Sequence, residues 1–356
     1  MKILRILPSM DFGGIERGVH DFSIRAVEMG HEVIVASGPG RFIPSMEKRG
    51  VICRNLPMNR KTLPVFFSAL RDMESIIREA DPDIVHVQSR FSCWIARLAM
   101  KRFPGLPWVT SIHSFNRKRF YSRSEGMGDL VITVSRALKT HAREFMGIPE
   151  RKIRVVYNGV SKDFLSVGKS SSPCFRAGMI SRFSLYKGHY IFLEAIRLLR
   201  ERMKIKGIII GSGSPEYRKS LESWISANGM ETIVEITEMD AKKALGEMDL
   251  LVVPSYEPEG FGRTVAEAQM SGTPVIGTNL GAIPELIDDG KTGFLVDPGN
   301  AGQVADRISY VSSNPGPAGI MAAAARENAL KHFTLDRMAE GIISVYRELL
   351  VKGGEV

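Results

Sequence analysis

The stretch Val253-Pro254-Ser255-Tyr256-Glu257-Pro258-Glu259-Gly260-Phe261-Gly262-Arg263-Thr264-Val265-Ala266-Glu267-Ala268, running on to Ser271-Gly272-Thr273-Pro274, decides the fold. It reads as strand, glycine loop, helix and turn. Leu250 to Val253 is a short apolar, β-branched run that suits a buried parallel strand, and Pro254 stops it. Gly260 and Gly262 allow backbone angles and close approach that other residues resist. Thr264 to Met270 has the small and apolar content of a packed helix, which Gly272 and Pro274 end. Chemically this is a helix N-terminus with glycines in front of it and a carboxylate on either side. Unpaired backbone N–H groups at such an end suit an anion or a polar ligand edge. Glu259 falls in the loop, and Glu267 is expected about two turns inside the helix. Taken singly, each Glu reads as a solvated surface acid. Together they are two carboxylates that cannot pair with each other, and that want hydroxyls or cations.

The whole string resembles the E-x7-E segment of retaining glycosyltransferases of family 4, which have the GT-B fold. Glu259 and Glu267 have that spacing, and Glu259-Gly260-Phe261-Gly262 stands intact. The continuation from Gly272 to Glu285, and from Asp289 to Val296, follows the same family. The match covers most of the C-terminal half and is highly specific; the N-terminal half is weaker but colinear. The resemblance implies two doubly wound, Rossmann-like α/β domains facing a cleft. It also implies transfer of a sugar from a nucleotide donor.

Outward from that segment, 356 residues are enough for two domains with a core each. Cys53, Cys93 and Cys174 are scattered and odd in number, with neither metal nor disulfide spacing, so a reducing cytoplasm is the default. No apolar run approaches the roughly 18 residues of a membrane span. Met1 to Pro8 lacks a signal-peptide cleavage pattern and reads as a first strand. The net charge of +9 is uneven: residues 1–160 hold 26 Lys+Arg and 15 Asp+Glu, hence +11, and the remainder −2. A basic half suits an anionic membrane surface or a phosphorylated substrate. No zinc-finger spacing or aromatic RNA-recognition motif is present, so no nucleic-acid partner is expected.

Residues 3–7 form a strand, Pro8 to Gly14 a glycine loop, Ile15 to Met29 a helix and Glu32 to Ala36 a strand, which is a βαβ unit. Gly13-Gly14 is either a tight turn or a place where amides approach a phosphate; no G-x-G-x-x-G fingerprint is present. Strands follow at Ile84–Val87, Trp108–Ile112 and Leu130–Val134, with a helix from Trp94 to Arg102 and Ser135 as an N-cap. This alternation means a parallel sheet with helices on both faces and ligands at the carboxyl ends of strands. His113 sits at such an end, whereas His86 lies inside an apolar run and reads as core. Phe115 to Arg123 interleaves Arg117, Lys118, Arg119 and Arg123 with three aromatics. Charge runs are usually solvated loops, but Arg60, Lys61, Arg97, Lys101 and Arg102 lie in the same half, so an acceptor or membrane face is expected here.

Lys169 to Pro173 is polar and flexible in composition and reads as an interdomain linker. The expected domains are 1–168 on the acceptor side, 169–173 as linker and 174–334 for the nucleotide-sugar, with 335–356 a helix packing back on the first domain. Arg182 and Lys187 flank a strand–helix turn, and two cations there suit a diphosphate without a metal. Gly211 and Gly213 form a second glycine turn, which is either a simple turn or a further place for a phosphate, and both glycines are candidate substrate-binding residues. After Ile233 to Ile236 the family often has a glycine where this chain has Thr237-Glu238, which leaves the base open.

By resemblance, Arg182 and Lys187 hold the diphosphate, and Gly13 and Gly14 border it. His113 approaches the donor sugar or leaving phosphate. Glu259 and the amides of Gly260, Phe261 and Gly262 hold the sugar, and Glu267 the ribose. No metal and no cofactor are expected; Asp81-Pro82-Asp83 reads as a turn rather than a metal motif. The expected donor is a UDP-, GDP- or ADP-sugar, and the acceptor a lipid-linked or phosphorylated glycan. With Gly13-Gly14-Ile15-Glu16-Arg17-Gly18 and Lys118-Arg119-Phe120-Tyr121, the first half also looks like bacterial transferases of the lipopolysaccharide core, which implies a cytoplasmic enzyme peripheral on the inner face of the cytoplasmic membrane. The alternatives are a nucleotide-sugar 2-epimerase of the same fold, which needs no acceptor, and a non-catalytic nucleotide-sugar or membrane-binding module.

Overall fold

The computed structural model describes residues 1–11, 13–58, 62–117 and 119–353. The chain divides into two compact units, Met1–Gly159 with Leu335–Val356, and Val160–Thr334.

The first unit holds β1 (Lys2–Ile6), β2 (Glu32–Ser37), β3 (Ile52–Asn55), β4 (Ile84–Gln88), β5 (Trp108–Ile112), β6 (Leu130–Thr133) and β7 (Ile153–Val155). Between them run α1 (Gly14–Glu28), α2 (Ile43–Glu47), α3 (Leu63–Ala80), α4 (Arg90–Ala99), α5 (Arg119–Ser122) and α6 (Arg136–Glu144). The strands are all parallel in the order β3-β2-β1-β4-β5-β6-β7. The order reverses between β1 and β4, so the loop carrying Gly13 and Gly14 leaves the sheet at its switch point. Both faces are apolar because both are covered. Ile3, Ile84, Val109 and Ile132 face α1, while Leu4, Ile6, Val85 and Val87 face α3 and α4.

The second unit repeats the pattern with β8 (Phe175–Ile180), β9 (Ile205–Ile210), β10 (Val234–Thr237), β11 (Leu250–Val253), β12 (Val275–Thr278) and β13 (Phe294–Val296). Its helices are α7 (His189–Leu199), α8 (Pro215–Ala227), α9 (Ala241–Gly246), α10 (Arg263–Ser271), α11 (Ile283–Leu286), α12 (Ala301–Ser313) and α13 (Pro315–His332). The parallel order is β10-β9-β8-β11-β12-β13, reversing between β8 and β11. The chain then returns as α14 (Leu335–Gly353) to the first unit. There Met338, Ala339, Ile342, Ile343 and Tyr346 complete the core beside α1. Tyr346 Oη lies 2.6 Å from His86 Nδ1, and His86 Nε2 lies 2.6 Å from Ser111 Oγ. His86 is fully buried, a core side chain held from both ring nitrogens.

Two differences from the sequence reading have local causes. α4 starts at Arg90 rather than Trp94 because Ser89, at φ 77°, caps it and accepts from the Ser92 amide. The stretch 169–173 is tied to the second unit instead of hanging loose. Lys169 Nζ donates to the carbonyls of Leu245 and Met248 and to Thr273 Oγ1, and Ser170 N donates to Gly246 O. Burial among these acceptors pushes the Lys169 ammonium down to about 8.

Candidate active site

In the second unit, β8 and β11 are neighbours, so the loops leaving their carboxyl ends lie side by side. The first loop carries Arg182 and Lys187, and the second carries Ser255 to Gly262. Backbone contacts lock them together. Tyr256 N donates to Tyr186 O at 2.7 Å. Gly188, at φ +78°, passes so close to Pro254 that a Cβ there would sit 1.9 Å from the Pro254 carbonyl oxygen. Only glycine meets both demands, which explains its place ahead of α7.

This packing brings Lys187 Nζ to 2.6 Å from Glu259 Oε1, with both side chains about a fifth exposed (24% and 19%). Ser255 Oγ donates to the same carboxylate oxygen at 2.7 Å. The Glu259 backbone is held from behind by the Ala282 amide, which donates to its carbonyl, and by bridge pairing with Gly281. Arg182 lies exposed in the same loop, with no ion-pair partner among the described residues. Glu267 is buried and receives Arg263 Nε at 2.9 Å, one turn away on α10. α10 begins at Arg263, so Glu267 stands one turn inside the helix rather than the two expected. Each carboxylate that the sequence left without a partner therefore meets a cation.

Glycine stands at three helix starts where several other helices carry a side-chain cap. Helices α4, α6, α8, α9 and α12 are capped by the side chains of Ser89, Ser135, Ser214, Asp240 and Asn300. Among the described residues α1, α7 and α10 instead carry the glycines Gly13, Gly188 and Gly262 at the N-cap, with no side-chain cap. Their first-turn N–H groups lack the usual side-chain acceptor, and the helix dipole makes these ends electropositive. Gly262, at φ +93°, has the left-handed backbone that the turn into α10 requires.

The second glycine turn plays a different part. The Gly211 amide donates to Thr237 O, so it is not available to a phosphate. A Cβ on Gly211 would lie 1.8 Å from the Ser181 carbonyl oxygen, and Gly213 bridges Phe183. These glycines seat the 181–187 loop. His189, which the sequence reading passed over, supports the same loop: it is buried, with Nε2 3.1 Å from Ser181 Oγ. Burial pushes its ring down to about 4. A histidine at the first position of a helix, behind Lys187-Gly188, was the only sequence signal for it.

In the first unit, Gly13 O accepts from Arg17 N at the start of α1. His113 follows β5, half-buried, with Nε2 sealed from solvent and without a hydrogen-bond partner among the described residues. Burial, and secondarily the Arg5 guanidinium, push the ring down to about 3, so it is neutral near pH 7. Asn116 Nδ2 donates to Glu125 Oε2 at 2.7 Å; burial pushes that carboxyl up to about 8. Arg117 and Arg123 are exposed; Lys118 lies outside the described residues, as do Arg60, Lys61 and the side chain of Arg119. Among the described residues no group of three His, Cys, Asp or Glu could hold a metal ion. No helix is long and apolar enough to cross a membrane among them.

Two family descriptions match the chain: Glycosyltransferase Family 4 over residues 12–164 and Glycosyl transferases group 1 over residues 172–332. The chain is 25% identical to the uncharacterized glycosyltransferase MJ1178 of Methanocaldococcus jannaschii, covering 98% of this chain and 99% of that one. It is 32% identical to a D-inositol 3-phosphate glycosyltransferase of an Arthrobacter species, over 54% of this chain and 42% of that one. Among solved structures, a glycosyltransferase from Rickettsia africae ESF-5 superposes with a TM-score of 0.87 at 28% identity, covering 98% of both chains. Anabaena Alr3699/HepE, in complex with UDP and glucose, gives 0.83 at 22% identity, covering 97% of this chain and 99% of that one. The lipopolysaccharide outer core galactosyltransferase WaaB gives 0.74 at 20% identity, covering 97% and 99%.

Proposed function

We propose, from the premise that the chain is a GT-B glycosyltransferase of two Rossmann-like domains, that it is a retaining hexosyltransferase. It moves a sugar from a nucleoside-diphosphate donor to an acceptor hydroxyl in lipopolysaccharide-core or other cell-envelope glycan synthesis. The observation that carries this reading is the Lys187–Glu259 pair, set between the uncapped starts of α7 and α10. Ammonium and carboxylate neutralise each other until a ligand separates them. A sugar diphosphate offers each a new partner: phosphate oxygens for Lys187, ring hydroxyls for Glu259.

Arg182 and Lys187 hold the diphosphate. Glu259 and the amides of Gly260, Phe261 and Gly262 hold the sugar, and Glu267, steadied by Arg263, takes the ribose hydroxyls. The bond from the anomeric carbon to the diphosphate oxygen breaks, and its electron pair leaves with the phosphate. Preorganised cations and amides stabilise that charge as it develops. The acceptor oxygen bonds to the anomeric carbon on the face the diphosphate leaves, and its proton passes to the departing phosphate oxygen. No side chain is assigned as a base. In the first unit the Gly13 and Gly14 amides and the neutral His113 ring are assigned to the transfer step by resemblance. The LPS-core reading draws support from the likeness to WaaB and from the basic first half.

A thermal-shift screen of UDP-, GDP- and ADP-sugars selects the donor, and NMR of the product reads its anomeric configuration. Retention is expected, with loss of turnover in Glu259→Ala. An inverted product refutes the mechanism, and full turnover by Glu259→Ala refutes the site.

A further inference from the structure

One flank of the first unit exposes large apolar side chains within a cationic surround. α3 opens with Leu63, 75% exposed, and one turn later Phe67, 63% exposed. Four residues apart on a helix, they share a face. Phe67 packs edge-on against Phe66 at 5.7 Å, and Phe66 against Phe91 of α4 at 6.1 Å. One turn along α4, the Trp94 ring lies 6.2 Å from Phe120, which is 77% exposed. Ring contacts thus tie each solvent-facing phenylalanine to α4, Phe67 through Phe66 and Phe91, and Phe120 through Trp94, with Leu98 one turn beyond Trp94 on the same helix face. Arg97, Lys101 and Arg123 are exposed around it, with no ion-pair partner among the described residues. By contrast Arg102 is paired with Glu74 and Arg71 with Asp72.

We propose that this flank docks onto an anionic lipid bilayer, with Leu63, Phe67 and Phe120 entering the headgroup boundary and Arg97, Lys101 and Arg123 meeting anionic headgroups. Apolar tips on separate elements, ringed by unneutralised cations, suit a planar, deformable, negatively charged surface. A soluble phosphorylated glycan would use the cations and leave the exposed rings idle. Charge complementarity favours the bilayer over a protein: residues 1–160 carry a net +11, counted as 26 Lys+Arg less 15 Asp+Glu. The inference does not rest on the transfer reading, since it needs neither donor nor acceptor.

Co-sedimentation of the full chain with vesicles tests it, using phosphatidylcholine alone and phosphatidylcholine with phosphatidylglycerol. Wild type is expected to pellet only with the anionic vesicles, and less so as salt rises. Phe67→Ser and Phe120→Ser each lower partition about tenfold. Arg97→Ala and Lys101→Ala each lower it about fivefold. Ile320→Ser, at a residue 74% exposed on α13, leaves it unchanged. Thermal unfolding of each variant shows whether it is folded. The proposal is overturned if wild type stays in the supernatant. It also fails if the phenylalanine variants bind like wild type, since that is adsorption of charge alone. Self-association that Phe67→Ser abolishes, without vesicle binding, would make the flank a contact between copies instead.

Discussion

Lys187 Nζ and Glu259 Oε1 meet at 2.6 Å although 72 positions separate them in the chain. The pair lies over the β8–β11 junction, where strand order reverses, and Ser255 holds the carboxylate from the other side. Both side chains are about four-fifths buried, so the two charges are partly shielded from water, and in the proposed reading a ligand replaces each partner.

Lys187→Ala and Glu259→Ala are each expected to lower kcat/KM about a hundredfold to a thousandfold, the range for removing one preorganised charge from a transition state. Lys187→Arg retains part of the activity. The double variant costs far less than the product of the two singles, because the groups act as a unit. Steady-state kinetics on the four proteins reads the coupling, and independent effects would dissolve the pair as a functional unit.

Gly281→Ala tests the support behind Glu259. Its φ is +62°, and an added Cβ would lie 2.7 Å from both N and O of Glu259. The strained backbone and the collision together displace the Glu259 loop. Donor affinity, read by thermal shift with the nucleotide sugar, should fall at least about tenfold, as expected for a misplaced binding group. The unliganded protein should remain folded, which circular dichroism checks. Wild-type donor affinity in this variant would mean that Gly281 is not positioning Glu259.

Because the proposed charge stabilisation comes from Arg182, Lys187 and helix-end amides, turnover should persist in excess EDTA. A reaction that stops on chelation, and resumes when a divalent ion is restored, would require a different account of the leaving group.

Glu125 makes stability pH-dependent in an unusual sense. Its folded carboxyl keeps its proton up to about pH 8, because burial outweighs the opposing Arg90 charge and Asn116 bond, while the unfolded group loses it near 4.5. Between those values the folded state binds more protons, so this group's contribution to stability declines as pH rises. Glu125→Gln keeps the shape and removes the titration. Its Tm should match wild type near pH 5 and exceed it above pH 8, by several degrees. A constant difference across that range would show that Glu125 does not titrate as described.

Much was legible from the chain alone. Apolar β-branched runs separated by glycine turns and amphipathic stretches specify parallel strands and helices, because both patterns are local. The spacing of Glu259, Gly260, Gly262 and Glu267 marked a helix start with two acids. The partners of those acids were hidden. Arg263, four residues before Glu267, forms a helical pair that the spacing alone makes readable.

What only tertiary structure decided is adjacency. The order of strands around β8 chooses which loops become neighbours, and core packing makes that choice over dozens of residues. Hence Lys187 reaches Glu259, Gly211 spends its amide on Thr237, and Lys169 is captured by carbonyls of the second unit. Burial is decided the same way. Nothing local distinguishes Glu125 or His113 from a solvated neighbour, yet surrounding elements shut water from the Glu125 side chain and from His113 Nε2 and move their protons in opposite directions. Sequence acts over a turn or two, whereas dielectric and contact belong to the assembled sheet.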